Sequence, residues 1–281
     1  MRNRDACGKK FDSHFALTFC WSCADGESQS ARRHAMPARE TEAIILKTFP
    51  LGEADRLVSF LGRTSGRLRG VASGARRTKN RYGSTLEILS HVQLWYVERE
   101  TRDLVRIQQC ELLESFNKSQ SDYGLSTGLA VISEIAERVL PEQEVADSMF
   151  RLVLLTAREV ERRGSWQLPL AYFAFWTVRL GGWLPPLDRC IVCGAGFADN
   201  PGYHVSQSVG PLCHNCRKPG MRPLGHRARE LAELFAGRKL DQIEIVEDAN
   251  RALTELREAS FSWIEFHTER SLQTREFLET I

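Results

Sequence analysis

The sequence predicts an α+β protein of two domains, in which a small all-β domain precedes a helical domain with an inserted metal-binding segment. Three observations lead to this prediction. Short segments with strand-like alternation fill residues 41–115, and apolar residues recur at helical spacing from residue 116 to residue 281. Two Cys-x2-Cys pairs interrupt the helical part. The length of 281 residues also suits about two domains.

Residues 1–40 form a polar N-terminal extension without the periodicity of the later segments. The first strand-like run appears only after Met36, so we expect either translation to start at Met36 or the extension to be disordered. A second small metal site with Cys7, Cys20, Cys23 and a histidine is the alternative, although this spacing lacks a clear fourth ligand. The extension has no apolar stretch of signal-peptide length, which predicts a cytoplasmic protein.

Residues 41–115 contain five short segments rich in Ile, Leu, Val and Phe and separated by turn residues. Gly62 and Gly66 enclose a three-residue spacer, which suits a hairpin. The five segments are Ala43–Phe49, Arg56–Leu61, Arg67–Ser73, Ile88–Val97 and Leu104–Leu113. This number and size of strands is typical of a Greek-key barrel of the OB type, which is often, although not always, a platform for nucleic acid.

Positive charge is concentrated where the third predicted strand runs into a loop. Residues 67–83 hold six Lys or Arg and no Asp or Glu, whereas the whole chain has a net charge of only +2. Each cation that meets a phosphate releases a condensed counterion, so this segment suits a polyanion, and nucleic acid is the first partner to consider. The alternative is a solvated basic loop.

Residues 116–281 carry the apolar period of amphipathic helices. One predicted helix, with Pro169 near its first turn and Gly181 after its last, is apolar nearly all round, so we expect it at the centre of a bundle. Helices are also expected at about 125–139, 145–160, 226–235 and 249–267.

The insertion at about 187–219 carries the strongest chemical signal. Cys190, Cys193, Cys213 and Cys216 have the Cys-x2-Cys-x19-Cys-x2-Cys spacing of a four-thiolate zinc site. A closed shell of four thiolates leaves no position for an activated water, so the expected Zn²⁺ is structural. The alternative is free or redox-active cysteines. His204 and His214 are candidate substitute ligands of the metal, although a surface histidine is the favoured interpretation of each.

Several of these segments resemble the bacterial family of RecO recombination mediators. The motifs that carry the resemblance are Thr41–Thr48, Gly52–Arg56, Gly66–Arg77, Arg81–Glu87 and Ser271–Leu278. It covers residues 41–279 and leaves out residues 1–35. The resemblance implies an N-terminal OB domain and a helical C-terminal domain, which in many members carries an inserted four-cysteine zinc site.

The resemblance also implies a function in DNA repair and recombination, without catalysis. Such a protein binds single- and double-stranded DNA, anneals complementary strands and, with RecR, loads RecA onto strands covered by single-strand-binding protein (SSB). A cytoplasmic, nucleoid-associated location fits that function. The DNA-facing residues that it implies are Arg67, Arg69, Arg76, Arg77, Lys79 and Arg81. Members commonly have a basic residue at the position of Ser73, so one phosphate contact is expected to be missing or supplied by a neighbour. Tyr82, inside the basic segment, is the best candidate for stacking on bases.

The resemblance places a binding site for the acidic, apolar-ended tail of SSB in the helical domain. Apolar helix faces around Met149, Leu152 and Phe173 lie near arginines in the sequence, and such a peptide needs both features. The arginines are Arg151, Arg158, Arg162, Arg163 and Arg179. The alternative is that the apolar residues belong to the core and that the arginines are merely solvated.

Two other function classes remain as alternatives. One is a zinc-containing enzyme that modifies nucleic acid, but the only His-x-Glu, His267 to Glu269, follows both cysteine pairs, which is the wrong order for a deaminase. The other is a protein-interaction scaffold that does not bind DNA directly.

Overall fold

The computed structural model describes residues 38–99, 102–205, 209–244 and 249–278. These residues belong to one compact unit, Met36–Ile281. The expectations about Met36 as a start and about a metal site with Cys7, Cys20 and Cys23 lie outside the described residues.

Five strands close into a barrel in the order β1-β2-β3-β5-β4, which confirms the predicted all-β N-terminal part. Their bounds are β1 Arg39–Leu51, β2 Asp55–Gly62, β3 Gly66–Ala72, β4 His91–Arg99 and β5 Arg102–Glu114. Neighbouring strands are antiparallel except β3 and β5, which pair in parallel and close the barrel.

Strand β3 shows how the sequence places its charges. Burial alternates along Gly66–Ala72, so Leu68 and Ala72 point into the barrel while Arg67 and Arg69 lie on the outer face. Gly70 permits the closure, since a Cβ at this position would lie 2.8 Å from Val105 and 2.9 Å from Ile107 on β5. The arginines of β3 therefore point away from the barrel core.

The helical part follows directly after β5. Its helices are α1 Asn117–Gln120, α2 Tyr123–Val139, α3 Asp147–Arg163, α4 Gln167–Leu180, α5 His226–Gly237, α6 Asn250–Thr268 and α7 Arg275–Leu278. Helix α4 packs against α3 and α6 and is buried on nearly all sides, as its apolar sequence predicts. Among the described residues, no helix is long and apolar enough to cross a membrane.

The insertion lies between α4 and α5 and contains two short strands, β6 Gly202–His204 and β7 Arg222–Leu224, which pair in an antiparallel hairpin. Its small apolar cluster consists of Cys190, Phe197 and Leu212. Three buried residues are far too few for an independent core, so the insertion needs another source of stability.

Barrel and helices share one apolar cluster. Ile44, Leu46 and Leu61 of the barrel are buried in the same cluster as the helical residues. The Ser133 hydroxyl on α2 donates a hydrogen bond to the backbone carbonyl of Leu46. The barrel and the helical part therefore pack against each other through a continuous core.

Candidate functional site

The basic loop, residues 73–83, leaves β3 and is fixed to the turn between β1 and β2. The amide of Gly74 donates to the Asp55 carboxylate over 2.8 Å, and the amide of Arg76 donates to the Ala54 carbonyl over 2.9 Å. Gly74 has a φ of 76°, a left-handed conformation that glycine adopts without strain. The Asp55 carboxylate thus holds the start of the basic loop beside the turn between β1 and β2.

An Asx turn orders the middle of the loop. The side-chain oxygen of Asn80 accepts hydrogen bonds of 2.9 Å from the amides of Tyr82 and Gly83, and its Nδ2 donates to the Arg77 carbonyl over 3.0 Å. These contacts hold the backbone while the neighbouring basic side chains remain exposed.

Four predicted DNA-facing cations, Arg76, Arg77, Lys79 and Arg81, are exposed. No carboxylate among the described residues lies within ion-pair distance of any of them. The Arg76 guanidinium does donate to the Gly52 carbonyl, which holds it beside the loop. The result is a cluster of exposed positive charge that no acidic residue in the described part of the chain neutralises.

Arg67 and Arg69, which the sequence also assigns to DNA, have different surroundings. The Arg67 side chain is only 13% exposed, lies 3.3 Å from Glu137 and 3.4 Å from Glu142, and donates to the Leu140 carbonyl over 2.8 Å. Arg69 is 46% exposed and pairs with Glu142. Arg67 therefore faces the helical domain, where its charge is already neutralised, and only Arg69 stays partly accessible.

The prediction that Tyr82 stacks on bases needs an exposed ring, and the ring is only 2% exposed. The Tyr82 hydroxyl donates to the Ile107 carbonyl over 3.1 Å, and Arg81 donates to that hydroxyl over 2.8 Å. The Arg81 guanidinium also lies 5.0 Å from the ring centroid. Tyr82 belongs to the barrel core and positions Arg81, so it is not a stacking platform.

The four cysteines of the insertion converge, and their Sγ atoms all lie within 4.8 Å of one another. Cys193 and Cys213 are 3.7 Å apart, close to the sulfur spacing of roughly 3.8 Å in a tetrahedral site with Zn–S bonds of about 2.3 Å. Gly194 follows the first pair with a φ of 73°, and its amide donates to the Cys190 carbonyl over 2.9 Å. The donor set therefore suits zinc.

The thiols of this cluster differ in acidity. Burial acts to raise the pKa of Cys190, but hydrogen bonds from backbone amides, Cys193 among them, outweigh it and lower that pKa to about 6. Hydrogen bonds with Cys213 and Cys193, followed by burial, raise the pKa of Cys216 to about 12. The pKa order indicates that Cys190 is the first of these two thiols to become a thiolate.

The two histidines considered as substitute ligands do not join the cluster. His204 lies on β6, fully buried, and neither ring nitrogen has a hydrogen-bond partner among the residues that the structure describes. His214 is exposed and packs edge-on against Tyr203, with ring centroids 6.3 Å apart.

The apolar residues suggested as a peptide groove, Met149, Leu152 and Phe173, lie in the core instead. Four of the nearby arginines have carboxylate partners. Arg151 pairs with Asp147, Arg158 with Glu114, and Arg162 and Arg163 with Glu159, while Arg179 lies over the ring of Trp176. The structure contradicts a groove at these residues, because burial leaves no apolar surface there for a peptide.

Comparison with known proteins covers nearly all of residues 36–276. Residues 36–116 match the family described as Recombination protein O N terminal, and residues 120–276 match Recombination protein O C terminal. The chain is 32% identical over 243 residues to the DNA repair protein RecO of Koribacter versatilis, which covers 86% of this chain and 99% of the relative. It is 34% identical over 244 residues to the DNA repair protein RecO of a Nocardioides species, covering 85% and 98% of the two chains.

Proposed function

The chain belongs to the recombination protein O family of DNA repair proteins, and on that premise we propose that it binds single- and double-stranded DNA and anneals complementary strands. The observation that carries the proposal is the exposed group of cations in the basic loop, Arg76, Arg77, Lys79 and Arg81, without carboxylate partners among the described residues. Arg69 on β3 is a further, partly exposed cation with one acidic partner, Glu142.

Annealing by such a surface needs no catalytic group. Two complementary strands repel each other through their phosphates, and a shared cationic surface lowers that repulsion while the bases remain available for pairing. Phosphate contacts carry no sequence information, so binding should be independent of sequence. The protein thus acts by holding strands together.

We further propose that the four thiolates bind one structural Zn²⁺. The ion would join the two cysteine knuckles and supply the cohesion that Cys190, Phe197 and Leu212 alone do not give the insertion. A closed four-sulfur shell gives the ion a folding role and no role in chemistry.

The proposed partners follow from family membership. They are RecR, the C-terminal tail of SSB and, indirectly, RecA, with which the protein would promote loading on SSB-covered single strands in the cytoplasm. The geometry argues against Met149, Leu152 and Phe173 as the tail site, so we place the tail on the helical domain without those residues.

The experiment that tests the proposal measures DNA binding and strand annealing together. Labelled complementary oligonucleotides are mixed with the protein over a range of salt concentrations, with and without SSB. We expect the protein to bind both DNA forms, with the logarithm of the affinity falling linearly with the logarithm of the salt concentration. We also expect the strands to anneal faster than they do without protein. No binding to either form at low salt would favour the scaffold alternative.

A further inference from the structure

A cleft of about 640 Å³ lies between the barrel and the helical domain. Its barrel side is formed by the ends of β1 and β3, and its other side by α2, by Trp183 after α4, and by the end of α6. This volume is within the range of small-ligand sites in proteins, roughly 300–1,000 Å³. The basic loop contributes no residue to its lining.

Two stacked rings form the helical wall of this cleft. The rings of Trp183 and His267 are nearly parallel, with an angle of 8° between planes and centroids 5.0 Å apart. Trp183 packs closely on the backbone of Gly181, where a Cβ would come within 2.8 Å of the indole. His267 is the exposed member of the pair, so the stack ends in an accessible imidazole.

The imidazole is suited to stacking at neutral pH. Partial burial lowers the pKa of His267 below its ordinary value, so the ring is neutral at neutral pH. A neutral flat ring beside an indole can extend its stack with a further flat group, and every nucleobase presents such a face.

The barrel wall supplies a second aromatic group and a cation. Phe49 near the end of β1 is 42% exposed, and the Lys47 ammonium lies 5.0 Å from the centroid of its ring. The pair offers an apolar face and a positive charge at one edge of the cleft.

The charges that line the cleft leave an excess of cations. Three carboxylates line it, and each is held by an arginine: Glu134 by Arg138, and Glu137 and Glu142 by Arg67, with Arg69 also on Glu142. Two further lining cations, Lys47 and Arg270, have no carboxylate within ion-pair distance among the described residues. Two positive charges therefore remain for an anionic ligand.

We propose that this cleft binds one nucleotide of single-stranded DNA, with the base stacked on His267 and the phosphate held by Lys47 and Arg270. A nucleotide fits better than an acidic peptide, because it combines a neutral flat base with one charge, whereas several carboxylates would meet Glu134, Glu137 and Glu142. Duplex DNA buries its base faces and cannot enter. The inference rests on the proposed DNA binding and adds to it a site selective for unpaired bases.

The test uses His267→Ala and Lys47→Ala in the full-length protein, with fluorescence anisotropy on an oligo(dT) and on a duplex of equal length. We expect each variant to lower single-strand affinity about tenfold and duplex affinity less than twofold, since only an unpaired base can stack on His267 and so bring its phosphate to Lys47. His267→Phe, which keeps a flat ring, should retain most of the single-strand affinity. Tyr123→Ala, which removes an aromatic side chain 61% exposed outside the cleft, should change neither affinity.

A fluorescent base analogue in the oligonucleotide gives a second readout. Its emission should be quenched on binding to the wild-type protein and restored with His267→Ala, and this signal reports stacking independently of overall stability. Equal losses on single strands and duplex, or no loss on either, would overturn the cleft proposal. The proposal would also be overturned if the variants lost affinity for an acidic peptide with an aromatic end while their affinity for the oligonucleotide stayed intact.

The failure of this inference remains distinguishable from failure of the proposed function. If the cleft is not a nucleotide site, wild-type protein still binds both DNA forms through the basic loop. If the protein binds no DNA at all, the proposed function fails first.

Discussion

The guanidinium of Arg67 on β3 lies 3.3 Å from the carboxylate of Glu137 on α2 and so joins the barrel to the helical domain. The same carboxylate accepts a hydrogen bond from the Ser59 hydroxyl of β2. The Arg67 backbone carbonyl accepts from the amide of Gln143 over 2.9 Å. Arg67 lies in the basic segment that the sequence assigns to DNA. Its contacts instead connect the barrel to the helical part.

Replacing Arg67 should therefore lower stability more than DNA binding. We expect Arg67→Ala to reduce the free energy of unfolding by about 2 kcal/mol, because it leaves Glu137 in a half-buried position without its cation. Urea unfolding measures this change. Arg69→Ala, at a more exposed pair, is the matched control and should cost about 0.5 kcal/mol. A large loss of DNA affinity with Arg67→Ala at unchanged stability would contradict the structural role.

Replacing arginines of the basic loop should instead lower DNA binding more than stability. Arg76→Glu combined with Arg77→Glu should leave unfolding nearly unchanged, since both side chains are exposed, and should weaken single- and double-stranded DNA binding alike. The slope of log affinity against log salt should become shallower by about one unit per lost phosphate contact. Titrations at several salt concentrations measure the slope, and an unchanged slope would place the DNA surface elsewhere.

Metal analysis of the purified protein should find about one zinc per chain. Cys190→Ser should lower the metal content and destabilise the insertion, because the binding energy of structural zinc contributes to folding. Cys110→Ser is a suitable control, as Cys110 is a buried barrel residue outside the cluster. Zinc-free protein with four freely titratable thiols in the insertion would rule out the metal site.

His204 predicts a pH dependence of stability. Burial, with Arg222 and Arg275 nearby, lowers its pKa from 6.5 to about 4, although Glu258 acts in the other direction. Between pH 6.5 and pH 4 the imidazole is protonated in the unfolded chain but stays neutral in the folded protein. The free energy of unfolding therefore falls as the pH drops from 6.5 towards 4, by about 3 kcal/mol in total. His204→Phe should flatten this part of the pH profile, whereas the exposed His226→Gln should not. An unchanged profile in His204→Phe would show that another group is responsible.

Glu134 on α2 anchors the segment before α7. Burial opposes its charged form, but hydrogen bonds from the Thr274 hydroxyl and from the Thr274 and Gln273 amides outweigh this and hold its pKa below 4.5. The lowered pKa of Glu134 stabilises the folded protein at pH values above the ordinary carboxyl pKa. This stabilisation is lost as the pH falls through the pKa that Glu134 has in the folded protein. Glu134→Gln should thus reduce acid sensitivity and speed hydrogen exchange at residues 271–278. Glu144→Gln serves as a control, and equal exchange in both variants would argue against the anchor.

The sequence predicts the elements of this fold well and their charge partners poorly. Period-two alternation identifies the barrel strands, helical spacing identifies the bundle, and cysteine spacing identifies the thiol cluster, because each of these signals is local. The partner of Arg67 is Glu137, 70 residues further along the chain, and no local pattern reports such a pairing.

The prediction that Tyr82 stacks on bases is wrong for a different reason, because the sequence does contain a signal for the burial of this residue. Leu86 and Leu89 follow it at four- and three-residue steps, and all three are buried. An apolar series that begins in a basic segment and continues past its end indicates a loop that folds back on the barrel. The cleft at His267 has no such signal, since its walls come from β1, β3, α2, α6 and the segment after α4.

The shared core of barrel and helices has a consequence for dividing the protein into fragments. A cut near residue 115 would leave Ile44, Leu46 and Leu61 of the barrel facing water, together with the helical surface that now covers them. Either half would then be prone to self-association, and the intact chain should lose both halves in a single thermal transition. The boundary between the two family-model matches, at residues 116–120, should therefore not separate two units of cooperative folding.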